Sequence, residues 1–303
     1  VKIIFSFVIC LAGLKASAQT LRVLVYDSFA GKGSLGDWIA TEFQKRHPSV
    51  SIEWVVTQDV AGLEGRLKSD FQRKRLGRLD AVLGLSREAT ARLVSVGLPL
   101  VPDPVLFEQS PFAVIVDRSQ EKRSFKTWKE FSELKKSLLV QDPSLSSTGF
   151  GFLRAVFEFG FLDLPTAKSL VARLFPSWSA SYSAFQKKMA PAVWSYLSSE
   201  AYHRCEDKTE RFEALVFAEG MPIHESYFVR LQSSKNEAAS LLLQKWLVSV
   251  EVQEQIPKMN WMFPALPGAR WPECYEPLRK RFEQLRPLRG KPFEAIWLDQ
   301  WNL

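Results

Sequence analysis

From residue 21 onward, apolar positions recur with two periods that alternate along the chain. Residues 22–26 form a short, mostly apolar run that predicts a buried strand, and 36–45 place Trp38, Ile39 and Phe43 at helical spacing. His47-Pro48 ends that helix. Residues 52–56 predict a second strand, 63–73 a helix, 80–85 a third strand with Gly84 near its end, and 87–96 a helix closed by Gly97. This is the rhythm of a parallel sheet covered by helices. A second unit of the same kind follows. Residues 112–117 read as a strand, and Thr127 with Glu130 three residues on has the form of a capping box opening a helix toward Lys136. Residues 138–141 are a strand, 142–149 a Ser-rich loop, and a helix starts at about 150. Strands follow over 192–197 and 212–217, then helices over 236–248 and from 276 to the C-terminus, with Pro257, Pro264, Pro267 and Gly268 marking an irregular connection. The fold class is α/β with two lobes, each a mixed, mainly parallel sheet flanked by helices, and a cleft between them. The lobes are expected to be discontinuous: 19–108 plus about 226–270 form the first, 109–225 the second, and helices in 271–303 pack on one of them. Crossings near 105–111 and 215–226 would form a hinge.

The N-terminus changes the picture of where the chain works. Lys2, an apolar stretch over 3–14 and then Lys15-Ala16-Ser17-Ala18 follow the order of a secretory signal, with cleavage expected after Ala18. The stretch is shorter than the roughly 20 apolar residues of a membrane helix. Cys10 lies within it, but Phe7-Val8-Ile9 puts bulky residues where lipid attachment wants small ones. The net charge of +7 includes Lys2 and Lys15, and the remaining charges are scattered and mixed in sign, as in Glu121-Lys122-Arg123. That argues for solvated helix faces and against nucleic acid. Beyond Cys10 only Cys205 and Cys274 remain, which excludes a disulfide framework and leaves open whether the two meet. Neither has the spacing of a zinc ligand set.

Several segments, in order, carry a family likeness. They are Val25-Tyr26-Asp27-Ser28-Phe29, Asp80-Ala81-Val82-Leu83-Gly84-Leu85, Gln141-Asp142-Pro143, Trp178-Ser179-Ala180-Ser181-Tyr182, the run from Ser195 to His203, Phe217-Ala218-Glu219-Gly220, and Asn260-Trp261-Met262-Phe263-Pro264. Together they resemble the thiamine-binding periplasmic proteins of bacterial ABC importers, a group within the two-lobed type II periplasmic-binding-protein class that also holds iron-, sulfate- and polyamine-binding proteins. The resemblance implies a monomeric periplasmic solute-binding protein with no cofactor. Its ligand would be thiamine, thiamine monophosphate or thiamine diphosphate, delivered to an inner-membrane permease and its ATPase. This chain carries no phosphate-loop motif of its own.

Thiamine joins a permanent thiazolium cation to an aminopyrimidine, so a site for it wants aromatic faces, a carboxylate and small donors for phosphate. Cation–aromatic contacts contribute about 0.5–2 kcal/mol per well-placed ring. By resemblance, Trp178 and Trp261 supply rings, and Tyr196, Leu197, Ser198 and Ser199 follow the strand at 192–197, at the edge where open α/β sheets bind ligands. Asp59 and Val60 follow the second strand, Tyr26 and Asp27 the first, and Ser146 and Ser147 precede a helix whose N-terminus suits phosphate. Plainer readings stand beside these. With ten tryptophans in the chain most must be structural, the serines could be ordinary helix caps, and Asp59 an exposed loop acid. The chain also departs from the family: Val60 stands where the pattern has Gly, Met221-Pro222 replaces an aromatic, and Ser110-Pro111 replaces a Tyr-rich stretch.

Other ligands on the same architecture are a polyamine, a phosphorylated metabolite or ferric iron, the last needing paired tyrosines that the sequence lacks. A thiamine-degrading enzyme with a cleft cysteine is the catalytic alternative. Cys205 follows His203 by two residues, and a helix over 202–208 sets such neighbours on different faces.

Overall fold

The structure, a computed structural model, describes residues 19–57, 59–285, 288 and 296–302. The signal-sequence reading of 1–18, with Cys10, lies outside them. Among the described residues ten strands are formed: β1 (Gln19–Tyr26), β2 (Val50–Thr57), β3 (Ala81–Leu85), β4 (Val105–Asp117), β5 (Leu138–Gln141), β6 (Val171–Phe175), β7 (Ala192–Tyr196), β8 (Phe212–Leu215), β9 (Ile223–Arg230) and β10 (Phe263–Pro264). Their order is β2-β1-β3-β9-β4-β7-β5-β6, with β8 and β10 also pairing to β4. The outer wings are parallel, β1 with β2 and β3, and β5 with β6 and β7. Antiparallel pairing is concentrated where β4 and β9 meet their neighbours.

The two-residue period of a strand sorts each sheet's side chains into two cores. Val23 and Val25 of β1 join Phe29, Ile39 and Phe43 on one face, while Leu24 between them joins Leu63, Leu67 and Leu93 on the other. Val114 and Trp194 pack with Trp128 and Phe152 on one face of the second sheet, and Ile115 and Val193 with Phe185 and Tyr275 on its other face. One strand serves both sheets: the first half of β4 pairs with β9, and from Phe112 to Asp117 it pairs with β7 or β8.

The structure departs from the sequence pattern at informative places. β4 begins at Val105, seven residues before the expected 112, because Glu108 to Pro111 interrupt its apolar run while the backbone stays extended. β9 was not foreseen, since Ile223-His224-Glu225-Ser226 lacks an apolar run. The helix opened by Thr127 stops at Ser132, and Lys136 turns the chain at φ 54°. Its capping box is formed, with Thr127 Oγ1 accepting from Glu130 N at 3.1 Å. The helix expected at 150 starts at Ser147.

Helices of the C-terminal region pack on the second sheet. Tyr275 and Leu278 enter its core beside Phe263, and Trp301 meets Phe152 on the opposite face, 5.8 Å between ring centres. Cys205 and Cys274 are joined in a disulfide with 5.5 Å between Cα atoms. Among the described residues no helix is long and apolar enough to cross a membrane.

Candidate functional site

The C-terminal ends of β5, β6 and β7 each feed a helix: Ser147–Leu153, Trp178–Gln186 and Ser198–Cys205. Glycine makes the first of these possible. A Cβ on Gly149 would collide with the Gln141 carbonyl, and one on Gly151 with the Phe112 ring, so only glycine lets this helix lie against β5 and β4. Ser146 and Ser147 are thereby held at the rim of a cleft of about 330 Å³. Val60 and Glu64 line it from the helix Val60–Gln72, Arg92 from the helix Arg87–Ser95, Phe112 from β4, Arg154 from the end of the helix Ser147–Leu153, and His224 from β9. Arg154 reaches across to Glu88 at 3.5 Å, and the Arg92 guanidinium lies 5.8 Å from the Phe150 ring.

A series of aromatic contacts links the helices Trp178–Gln186 and Ser198–Cys205. Trp178, 38% exposed, stacks on Tyr182 at 4.8 Å, and its indole N–H donates to Ser195 Oγ at 2.7 Å. Ser177 caps the helix that Trp178 opens, accepting from Ala180 N. Tyr182 in turn faces His203, whose other nitrogen meets Asp207 at 2.6 Å. Tyr202 lies edge-on to both His203 and Trp261. Trp261 adopts φ 53°, a left-handed conformation that a bulky residue rarely takes. Tyr196 stacks on Phe112 at 5.2 Å and its hydroxyl meets Thr148 Oγ1 at 2.9 Å. Burial pushes that hydroxyl up to about 12, so it stays protonated.

A third cluster joins β1 to β4. Tyr26 donates to Glu108 Oε1 at 3.0 Å, and Asn260 Nδ2 donates to Glu108 Oε2 at 2.6 Å and to Tyr26 Oη at 3.1 Å. Glu108 is 2% exposed, and burial pushes its carboxyl up to about 7 against the pull of Asn260 and Tyr26. Ion pairing does not offset that burial among the described residues.

The expected residues therefore fall into different settings. Val60, Ser146 and Ser147 line the cleft directly, Tyr196 stacks on Phe112 of its wall, Trp178 and Trp261 end the ring series through Tyr182, His203 and Tyr202, and Tyr26 belongs to the Glu108–Asn260 cluster. Asp59 caps the helix Val60–Gln72, accepting from Gly62 N at 2.8 Å through one oxygen. The remaining candidates are turned to structural work. Leu197 is fully buried in the second lobe's core, and its N–H donates to Pro111 O. Ser198 Oγ meets Ser110 Oγ at 3.2 Å, Ser199 Oγ meets Ser195 Oγ at 2.8 Å, and Asp27 is exposed, accepting from Ser28 N. Glu108 and His224 were missed. Their only sequence signal is a polar residue at every second position, Glu108 and Ser110 on β4 and His224 and Ser226 on β9, which the register places side by side. Among the described residues no three His, Cys, Asp or Glu gather as metal ligands.

No protein-family model matches the chain. The thiamine-binding periplasmic protein of Brucella suis biovar 1 is 28% identical over 327 residues, spanning 97% of this chain and 94% of the relative. That of Escherichia coli K12 is 26% identical over 306 residues, spanning 93% and 92%. The solved structure of a periplasmic thiamin binding protein superposes with a TM-score of 0.75 at 25% identity, covering 93% of this chain and 95% of the other. Two sheets sharing the strand β4, a cleft at the strand ends and similarity along nearly the whole length together give this chain the two-lobed α/β fold of the type II periplasmic binding proteins.

Proposed function

We propose that the chain is a periplasmic solute-binding protein of an ABC importer that captures thiamine or a thiamine phosphate and hands it, as a monomer, to a membrane permease and its ATPase. The observation that carries the reading is Trp178, a part-exposed indole seated at a strand end, stacked on Tyr182 and anchored through its N–H to Ser195. A face held this rigidly suits a flat cation, because little side-chain entropy is lost on contact. Glu108, held by Tyr26 and Asn260 and pushed up to about 7 by burial, is a carboxyl that a cationic ligand close by would draw into its charged form. Ser146 and Ser147 at the cleft rim are suited to a phosphate arm. Closure of the lobes about β4 and β9 would then present one shape to the permease.

Capture without conversion is the reading Cys205 favours, since its sulfur is committed to Cys274 and holds no thiolate for attack. Titration of tryptophan fluorescence with thiamine, its monophosphate and its diphosphate tests the proposal. Saturable quenching is expected for at least one of them, with the vitamin recovered intact; no response to any of the three overturns the reading. Trp178→Ala should weaken binding at least tenfold, about 1.4 kcal/mol, with little change in melting temperature. An unchanged titration removes Trp178 from the site.

A further inference from the structure

His224 differs from the other buried histidine in what surrounds its nitrogens. His203 has both occupied, one by Tyr182 and one by Asp207. His224 is only 9% exposed, yet among the described residues it has no hydrogen-bond partner. Its ring lies 5.5 Å from that of Tyr196 and 6.0 Å from that of Phe112, both tilted steeply to it, and it forms part of the cleft wall. β9 pairs His224 with Ser110 of β4, so the imidazole stands where the two hinge strands meet the cleft.

The His224 ring nitrogens are not among the fully enclosed polar atoms that lack a partner, and the residue lines the cleft, so they open toward its space. A donor and an acceptor placed there are free to be completed by whatever occupies the cleft. Burial keeps the ring neutral. It pushes the imidazole down to about 4 against the pull of Glu88 of the helix Arg87–Ser95, and Arg154 of the turn Arg154–Glu158 adds a smaller push in the same direction as burial. Tyr196 on β7 is a neutral phenol, and the adjacent Glu225 is engaged by Arg87. A neutral imidazole offers one N–H donor and one lone pair, and it does not repel a cation in the same cleft.

We propose that His224 is a ligand-contacting, specificity-determining residue, whose neutral imidazole hydrogen-bonds the uncharged heteroaromatic ring of a ligand lodged against Tyr196. This rests on the thiamine reading, in which the aminopyrimidine is that ring. It places a polar contact at the hinge, close to where Met221-Pro222 stands in place of the family's aromatic.

The test combines calorimetric titration of thiamine into wild type, His224→Phe and His224→Gln with NMR of ring-labelled histidine, simplified by there being only three histidines. His224→Phe should lose at least tenfold in affinity, and His224→Gln, which keeps a donor and an acceptor, should recover part of it. The His224 ring signals should move on adding thiamine while remaining those of a neutral imidazole. Wild-type binding with an unchanged His224→Phe affinity, unmoved His224 signals, or an imidazolium in the complex each overturns this inference and leaves the thiamine reading standing. No thiamine binding by the wild type overturns both. Should His224→Phe lose its cooperative melting transition, the glutamine variant and the wild-type spectra decide.

Discussion

Glu108 carries a measurable consequence for pH. An exposed glutamate ionises near 4.5, whereas burial raises this one to about 7 in the folded chain. Below about 4.5 both states hold the proton and Glu108 contributes nothing to pH dependence. Between there and about 7 the unfolded chain loses the proton first, so stability falls as pH rises, and above 7 the penalty is fully present. The shift corresponds to roughly 3 kcal/mol. Glu108→Gln is expected to remove this fall, which melting temperatures of both proteins between pH 4.5 and 7.5 would reveal as converging at the acid end and parting toward neutrality. Parallel profiles would show that Glu108 is not the group responsible. His224 acts in the opposite direction. Its depressed value means the unfolded chain takes up the proton first, so stability falls as pH drops from about 6.5 toward 4. Neither residue was recognisable beforehand, because a single Glu or His in a polar stretch says nothing about its burial.

Among the elements, the best-read were those whose period and punctuation agree. The helix Leu35–Arg46, the strand β5 and the Thr127 cap follow directly from apolar spacing and capping residues. The hinge strands did not, since polar residues occupy one face of the ribbon they form. The helix after β5 began three residues earlier than expected, because its position is governed by what Gly149 and Gly151 allow it to approach. Gly149→Ala should therefore push Ser146 and Ser147 out of place. We expect a loss of about 1–3 kcal/mol in stability from the overpacking, read as a lower urea midpoint, together with weaker ligand binding. An unchanged midpoint would mean the helix can shift without penalty.

For the molecule as a whole, the disulfide matters most among the covalent constraints. Cys205 and Cys274 are 69 residues apart, and both lie on the second lobe, on the helix Ser198–Cys205 and the turn Glu273–Tyr275. Closing a loop of that length restricts the unfolded chain by about 4 kcal/mol in the chain-entropy model. Reduction should lower the calorimetric melting temperature by several degrees, and Cys205→Ser with Cys274→Ser should match the reduced protein. Equal melting of oxidised and reduced protein would show that the bridge adds little. The aromatic contacts from Trp178 to Trp261 run across this same lobe, so the loss is also expected to reach ligand affinity.

The sequence by itself determined the α/β rhythm and the two-lobed class, because these depend on local period, capping and the order of segments. Only the tertiary structure decided that Leu197 lies in a core, that Asp59 works as a helix cap, that Cys205 meets Cys274, and that Glu108 and His224 sit buried on the paired strands β4 and β9. Those outcomes turn on contacts between segments far apart in the chain. Burial and partnering are properties of the assembled fold, and they give an acid, a thiol or an imidazole its chemistry.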